Sequence, residues 1–98
     1  MLDDMLVGTP VTMGNTQLVK LIAAVNKVIS AQVVNVEVYE IYKNDYKIVY
    51  EYKSYGTTIY DKDWCRTGAQ WQEGKNLGIL INLLIREYKL EKLTNESI

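Results

Sequence analysis

The stretch from Trp64 to Lys75 holds the densest set of side chains that could bind a ligand. Indole rings can stack on nucleobases, and arginine and lysine can pair with phosphate groups. One hypothesis is therefore a site for a small anionic ligand such as a nucleotide, built from Trp64, Arg66, Gln70, Trp71 and Lys75. The alternative is that one or both tryptophans fill the joint between a sheet and a helix.

Catalysis has few candidate groups in this chain. It contains no histidine, which removes the commonest general base and the commonest transition-metal ligand. The single cysteine, Cys65, could have a lowered thiol pKa if the cation of Arg66 stayed close, but the role of a small buried residue is favoured. We therefore predict no catalytic residue and expect that the protein is not an enzyme.

The carboxylates and glycines also lack the spacing of known ligand sites. Asp61, Asp63 and Glu73 could together hold a hard cation, because Ca²⁺ and Mg²⁺ prefer several carboxylate oxygens. The ligand spacing of an EF-hand is missing, however, and a solvated acidic loop is the favoured interpretation. The glycines do not have the spacing of a phosphate-binding loop. We predict no metal site and no cofactor.

Tyrosine occurs eight times and phenylalanine never, and six of the tyrosines lie between Tyr39 and Tyr55. A buried core usually prefers rings without hydroxyls, whereas Tyr, Trp and Arg supply much of the binding energy at protein interfaces. We predict a partner-binding surface that consists of Tyr42, Tyr46, Tyr52, Trp64, Arg66 and Trp71. The alternative is that cross-strand tyrosine pairs only stabilise a hairpin.

The elements that must position these residues begin with a helix from about Thr16 to Ala31. Asn15 or Thr16 is its predicted N-cap. Its apolar positions recur at the three-and-four spacing of one helical face, which consists of Leu18, Leu21, Ile22, Val25 and Ile29.

β-Branched and aromatic residues after this helix predict a hairpin. Asn44 and Asp45 are expected to form its turn, which would place Tyr39 opposite Tyr50. Both faces of the hairpin are partly apolar, so periodicity does not decide which face the helices cover. A bulge in the segment 38–41 could also switch the alternation.

The second helix is predicted from near residue 68 to about residue 93. The T-x-x-Q pattern of residues 67–70 matches a capping box at its start. Gly74 and Gly78 weaken its first half, so either they allow a close backbone approach or the regular helix begins only near Lys75.

A third strand is expected over residues 57–60, before a polar loop over residues 61–66. The order is then helix, three strands, helix: an α+β fold of two layers, α-β-β-β-α, in which two helices cover one face of an antiparallel three-stranded meander. Residues 1–13 are expected to be an irregular N-terminal arm that can add one edge strand, and residues 94–98 a frayed tail. We expect one domain over residues 1–98.

The charge balance argues against polyanionic partners. Eleven Lys and Arg against twelve Asp and Glu give a formal net charge of −1, too little to attract nucleic acid or anionic lipid over distance. The element order is similar to that of the double-stranded RNA-binding domain. That domain binds phosphates with a lysine cluster at the start of its last helix, whereas this chain has Lys75 alone beside Glu73. Nucleic acid is therefore not an expected partner.

Composition indicates where such a protein would act. The single cysteine cannot form an internal disulfide, no signal-peptide pattern is present, and the apolar stretch 77–85 is too short for the ~20 residues of a membrane span. We therefore expect a cytoplasmic protein that binds no membrane. Abundant Ile, Lys, Asn and Tyr with only two arginines indicate AT-rich coding, which is typical of low-GC bacteria, their phages and their mobile elements.

The function class that remains is binding. The leading hypothesis is a phage or mobile-element inhibitor or adaptor, of an anti-defence or anti-CRISPR-like type, that occludes a host protein surface with Tyr and Trp side chains. One alternative is the nucleotide-type ligand binder introduced above. Another is a homo-oligomeric structural protein, such as a homodimer, that associates through a strand edge or the first helix.

Overall fold

A computed structural model of the chain describes residues 8–54, 58–68 and 72–96. They form β1 (Thr9–Pro10), α1 (Asn15–Ile29), β2 (Gln32–Tyr42), β3 (Asp45–Lys53), β4 (Tyr60–Arg66) and α2 (Gln72–Glu96). The strands make one antiparallel sheet in the order β1-β2-β3-β4. The predicted α+β fold is confirmed, and β1 is the additional N-terminal edge strand.

Helix α1 confirms the predicted first helix and its apolar face. Leu21 and Val25 are completely buried, and the other members of the predicted face pack around them at the edge of the core: Leu18, Ile22 and Ile29. Burial of this stripe is what fixes the helix on the sheet, because propensity alone stabilises so short a helix only marginally.

The ends of α1 differ from the prediction. Its N-cap is Gly14 rather than Asn15 or Thr16. The Gln17 side chain folds back, and its Oε1 accepts a hydrogen bond from the Gly14 backbone N–H at 3.0 Å. The helix stops before Ser30, which takes the left-handed conformation with φ 54°.

The predicted hairpin is present as β2 and β3, but its turn lies one residue earlier than predicted. The turn is Lys43–Asn44, since Asn44 takes the left-handed conformation with φ 63° and Asp45 already pairs with Tyr42. A shift of register between Glu40 and Tyr42 leaves Ile41 as a bulge, in the region where the sequence allowed one.

The bulge decides which side chains of the hairpin face the helices. Tyr39 pairs with Lys47 and not, as predicted, with Tyr50. Directly paired residues share a face and successive residues alternate. The core-facing side of the hairpin therefore combines residues that the predicted register placed on different faces, and it includes Val36, Val38, Tyr46, Ile48 and Tyr50.

The last strand corrects a second prediction. The expected polar loop over residues 61–66 is strand β4, while the expected strand over residues 57–60 contributes only Tyr60; residue 57 lies outside the described residues. β4 pairs with β3 on one side only. An edge strand tolerates the charged residues that made the segment resemble a loop, and those charges also discourage pairing between molecules.

Helix α2 is described over Gln72–Glu96 and continues beyond the predicted end at Leu93. Gly68, the predicted start, lies in a turn, and residues 69–71 lie outside the described residues. The predicted capping box includes Gln70, which lies outside the described residues. The Thr67 hydroxyl accepts a hydrogen bond from the Tyr46 backbone N–H at 2.9 Å and so joins the end of β4 to β3.

Gly78 supports the interpretation of a close approach between α2 and the end of β4. It is buried, and a Cβ atom at this position would lie 3.2 Å from the Thr67 Cβ atom. A side chain here would press on the threonine that anchors the strand.

The core lies between the two helices and one face of the sheet, and α2 contributes Leu77, Ile81 and Leu84 to it. Neither helix packs on the opposite face. We call this opposite side the outer face; among the described residues it includes Glu37, Tyr39, Lys47, Val49, Lys62, Trp64 and Arg66.

Candidate functional site

Two rows of paired residues cross the outer face at right angles to the strands. Tyr39, Lys47 and Arg66 form one row, and Glu37, Val49 and Trp64 form the next. Because paired residues point to the same side of a sheet, both rows are directed away from the core. Each row thus brings together side chains that are far apart in the sequence.

A groove of about 400 Å³ lies over these rows. Val49 is central, on β3, with Tyr39 on the β2 side and Trp64 on the β4 side. The Trp64 side chain is 40% exposed. Charged residues complete the lining: Glu37, Lys47, Lys62 and Asp63. The groove therefore offers an apolar and aromatic surface with charges of both signs at its margin.

Lys47 is the most unusual residue of the groove, because only 5% of its surface is exposed. Its Nζ lies 5.3 Å from the centroid of the Tyr39 ring, within the range of a cation–π contact. The Tyr39 hydroxyl donates a hydrogen bond to Glu37 Oε1 at 3.2 Å. This bond and the charge of Glu37 raise the pKa of the Tyr39 phenol.

Arg66 lies on the outer face, paired with Lys47 of β3, and is held by Asp45. Its Nη2 is 2.9 Å from Asp45 Oδ2, while Asp45 Oδ1 accepts a hydrogen bond from the Gly68 N–H at 3.0 Å. One carboxylate thus joins the start of β3 to the end of β4. Cross-strand pairing of Arg66 with Lys47 places the guanidinium in the same row as Lys47.

Two of the tyrosines predicted as partner contacts lie on the core side instead. Tyr46 is only 3% exposed, and its hydroxyl donates a hydrogen bond to Asn82 Oδ1 of α2 at 2.5 Å. Tyr52 is half-buried and packs against Tyr50, with 5.8 Å between the ring centroids. Tyr42, in contrast, is 75% exposed at the end of the hairpin. The corrected register explains this division, because it turns the even-numbered residues of β3 towards the helices.

Cys65 has no reactive environment. It lies on the core side of β4, paired with Ile48, whereas Arg66 points to the outer face. Burial, helped by the negative charge of Asp63, raises the pKa of the Cys65 thiol to about 11. The hypothesis of a thiolate stabilised by Arg66 is therefore wrong, since such a thiol is protonated at neutral pH.

The other predicted ligand-binding residues do not join the groove. Gln70 and Trp71 lie outside the described residues. Lys75 is exposed on α2, in the helix layer, and so lies on the other side of the sheet from Trp64. Of the predicted ligand set, the structure brings together Trp64 and Arg66 only.

The acidic residues have separate roles. In the described ranges 8–54, 58–68 and 72–96, no three acidic or cysteine side chains come close enough to hold a metal ion. Asp63 Oδ1 accepts a hydrogen bond from the Trp64 backbone N–H at 2.8 Å. This bond fixes the strand at the position from which the indole projects.

Five groove residues were not predicted from the sequence: Glu37, Tyr39, Lys47, Val49 and Lys62. The available signal was the alternation Asp45, Lys47, Val49 along β3, which marks one face once the turn is placed correctly. The error of one residue in the turn and the bulge at Ile41 concealed it.

Neither helix of the described chain combines the length and the apolar character that crossing a bilayer requires. Comparison with protein-family models, with curated proteins and with solved structures found no match for this chain. The function has to be argued from the groove itself.

Proposed function

We propose that this protein is a binding protein that attaches to a partner protein through the groove on its outer face. The observation that carries the proposal is the pairing of an exposed indole, Trp64, with a central apolar residue, Val49, on a sheet face that neither helix covers. Aromatic residues that surround an apolar centre, with charged residues at the rim, are the usual composition of a protein interface.

The proposed role is that of a small inhibitor or adaptor, which acts by occupying a surface of its partner and needs no catalytic group. The AT-rich composition supports a phage or mobile element as its source and the cytoplasm of a bacterial host as its place of action. An anti-defence protein, which must bind one host component and block it, fits a chain of 98 residues with near-neutral charge.

The test compares Trp64→Ala with Val19→Ala, which truncates an exposed apolar side chain on the helix side of the molecule. A partner isolated by affinity capture from a bacterial lysate is purified, and its Kd is measured for each variant by biolayer interferometry. We expect Trp64→Ala to raise Kd about 30-fold or more, equivalent to ~2 kcal/mol, and Val19→Ala to leave it unchanged. An unchanged Kd for Trp64→Ala would exclude the groove as the contact surface.

A second candidate function, assembly of the chain with itself, is favoured by a stripe on α2. Ile79, Leu83, Leu90 and Leu93 are each more than half exposed, on the side of the helix opposite its core-facing residues. Their spacing follows the heptad positions that two helices use to pack together, with Arg86 at the intervening position. The stripe lies on the helix layer, so such assembly leaves the groove open.

Light scattering after size exclusion tests this second candidate. A self-associating chain has a mass above its monomer mass of 11.3 kDa. Leu83→Glu should return the mass to the monomer value, because a charge in the seam of packed helices opposes association, while Val19→Glu should not. A monomeric unaltered protein would exclude assembly through α2.

A further inference from the structure

Strand β4 is the edge of the sheet, and half of its backbone groups point away from β3. The Thr67 N–H donates a hydrogen bond to the Tyr46 C=O at 3.0 Å, which fixes the phase of the ladder. Backbone groups in an antiparallel pair point alternately towards the neighbouring strand and away from it. In the described part of the chain, no strand lies beyond β4 to pair with the groups that point away. They belong to the even-numbered residues Tyr60, Lys62, Trp64 and Arg66.

The Trp64 N–H shows how this edge is satisfied in the unbound molecule. It donates a hydrogen bond to Oδ1 of the adjacent Asp63 side chain at 2.8 Å, and this bond is exposed. A carbonyl group of an added strand can take the same position, so that an exposed side-chain bond is exchanged for a backbone bond. The exchange leaves the pairing of β3 with β4 intact, because that ladder uses the odd-numbered residues of β4.

The side chains of β4 give this edge a different charge on each face. On the outer face Lys62 lies between Tyr60 and Trp64, and all three are exposed. On the opposite face lie Asp61 and Asp63, which are also exposed. Side chains directly opposite each other on paired strands share a face, and opposite charges stabilise the pair. The complementary strand therefore has an acidic residue opposite Lys62, apolar residues on either side of it on that face, and basic residues on the other face.

A second copy of β4 does not have this pattern. In an antiparallel pair of β4 strands related by a two-fold axis, an axis at Asp63 places this residue opposite itself. An axis at Lys62 places two ammonium groups opposite each other and Asp61 opposite Asp63, and an axis at Trp64 places Lys62 opposite Arg66. Like charges directly opposite each other are destabilising. The occupant is therefore a segment of a different protein.

We infer that an extended segment of the partner protein adds to β4 as an antiparallel fifth strand, with an acidic side chain opposite Lys62 and basic side chains opposite Asp61 and Asp63. This inference rests on the function proposed above and specifies how the partner is held. Strand addition at an exposed edge takes its affinity from backbone hydrogen bonds and its specificity from alternate side chains. The outer-facing residues of the added strand lie next to Trp64, at the β4 side of the groove.

The test titrates the peptide acetyl-Thr-Val-Lys-Glu-Lys-Val-Thr-amide into the full chain labelled with ¹⁵N, at about 0.15 M salt so that long-range attraction is screened. With its glutamate opposite Lys62, this peptide has each of its charges opposite a counter-charge. Saturable shifts should be largest for the amide signals of Lys62 and Trp64, whose N–H groups point to the open side. No saturable shift, or saturable shifts confined to the helices, would overturn the inference.

Two N-methylated peptides test the backbone pairing. Methylation of the glutamate nitrogen removes the N–H that faces Lys62, whereas methylation of the first lysine nitrogen alters an N–H that points away from β4. We expect the first change to weaken binding about tenfold or more and the second to weaken it by less than about threefold. Equal effects of the two changes would show that the peptide is not bound as a strand and would refute the inference.

A neutral peptide, acetyl-Thr-Val-Gln-Gln-Gln-Val-Thr-amide, tests the charge pattern. It should bind about fivefold or more weakly than the charged peptide, because three cross-strand pairs of opposite charge are lost. Equal affinities would overturn the chemistry assigned to the partner segment.

The edge is identified on the protein with Lys62→Pro and its matched control, Lys62→Ala. Proline is tolerated in an edge strand where its missing N–H would face solvent, as the Lys62 N–H does. Lys62→Pro should abolish binding of the charged peptide, while Lys62→Ala, which loses the charge and keeps the N–H, should weaken it about threefold. Equal binding by the two variants would contradict the assignment. If Lys62→Pro does not fold, the two N-methylated peptides on the unaltered protein still decide.

The outcomes also distinguish this inference from the proposed function. If Trp64→Ala loses the captured partner but Lys62→Pro still binds it, the proposed function stands and the inference is refuted. If Trp64→Ala binds the partner unchanged, the proposed function is refuted, even if the peptide pairs with β4.

Discussion

Tyr46 provides the sharpest test of the corrected hairpin register. The sequence predicts that Tyr46 contacts a partner, whereas the structure places it in the core with 3% exposure. Truncation of a large buried aromatic side chain to alanine destabilises a protein by about 3–5 kcal/mol. A domain of this size has a free energy of unfolding of only about 5–15 kcal/mol, so Tyr46→Ala should remove much of it.

Tyr46→Phe isolates the hydroxyl, which donates its hydrogen bond to Asn82. Its loss should lower the free energy of unfolding by about 0.5–1.5 kcal/mol, at the lower end because Asn82 is exposed and can bond to water instead. Tyr42→Ala is the matched control; since Tyr42 is 75% exposed, we expect a change within about 0.5 kcal/mol.

Urea unfolding followed by circular dichroism measures these changes. With a slope of about 1 kcal/mol per molar urea for a small domain, Tyr46→Ala should lower the midpoint by roughly 3 M or leave the chain unfolded. A midpoint within about 0.5 M of the unaltered protein would show that Tyr46 is not a core residue and that the register is wrong.

Three further predictions concern the helices and the thiol. Gln17→Ala removes the hydrogen bond that Gln17 accepts from Gly14 and the two that it donates to carboxylates of α2. It should lower the free energy of unfolding, measured by urea unfolding, by about 2 kcal/mol. The control Lys20→Ala removes only an exposed ion pair and should change that free energy by less than about 0.5 kcal/mol. Iodoacetamide should modify Cys65 slowly in the folded chain at pH 9 and faster only towards pH 11, because the folded-state pKa is raised to about 11. Fast modification at pH 9 would contradict the burial of this thiol. The contribution of the raised thiol pKa to the free energy of unfolding is complete below pH 9 and is lost as the pH rises through 11. Gly78→Ala should lower the Tm by several degrees, since its Cβ would crowd the end of β4; a higher Tm would mean that helix propensity outweighs the contact.

The helices were predictable because their signal is local. The α1 stripe that includes Leu21 and Val25 repeats at helical spacing, and its burial follows from that repeat alone. The errors at the helix ends arose from tertiary contacts. Gln17 caps α1 while it also bonds to Glu87 of α2, and the Thr67 hydroxyl bonds to Tyr46 of β3.

The strands were harder because their signal depends on register. A bulge of one residue at Ile41 exchanges the two faces of a strand, so a correct list of apolar residues still gave the wrong partners. β4 was mistaken for a loop because charges dominate Tyr60–Arg66, and only its position at the edge of the sheet makes them acceptable.

The candidate site was only partly predictable for the same reason. Trp64 and Arg66 stood out by residue type, since indole and guanidinium groups are rare in this chain. Val49 and Lys47 have unremarkable types, and their importance comes from a position opposite those two residues on the neighbouring strand. Composition can identify an exposed aromatic residue, but the residues that surround it follow from pairing.

The distribution of polarity on the outer face supports an interface rather than a surface that is merely solvated. Two helices cover one side of a four-stranded sheet, and the other side of such a sheet is expected to be polar throughout. Here the centre is apolar, at Val49, and the charges of Glu37 and Lys62 lie at the margin. The one charged residue near the centre, Lys47, is mostly covered along its side chain. A face exposed only to water would gain from covering its indole, yet Trp64 is 40% exposed. A partner that buries Trp64 would supply that cover.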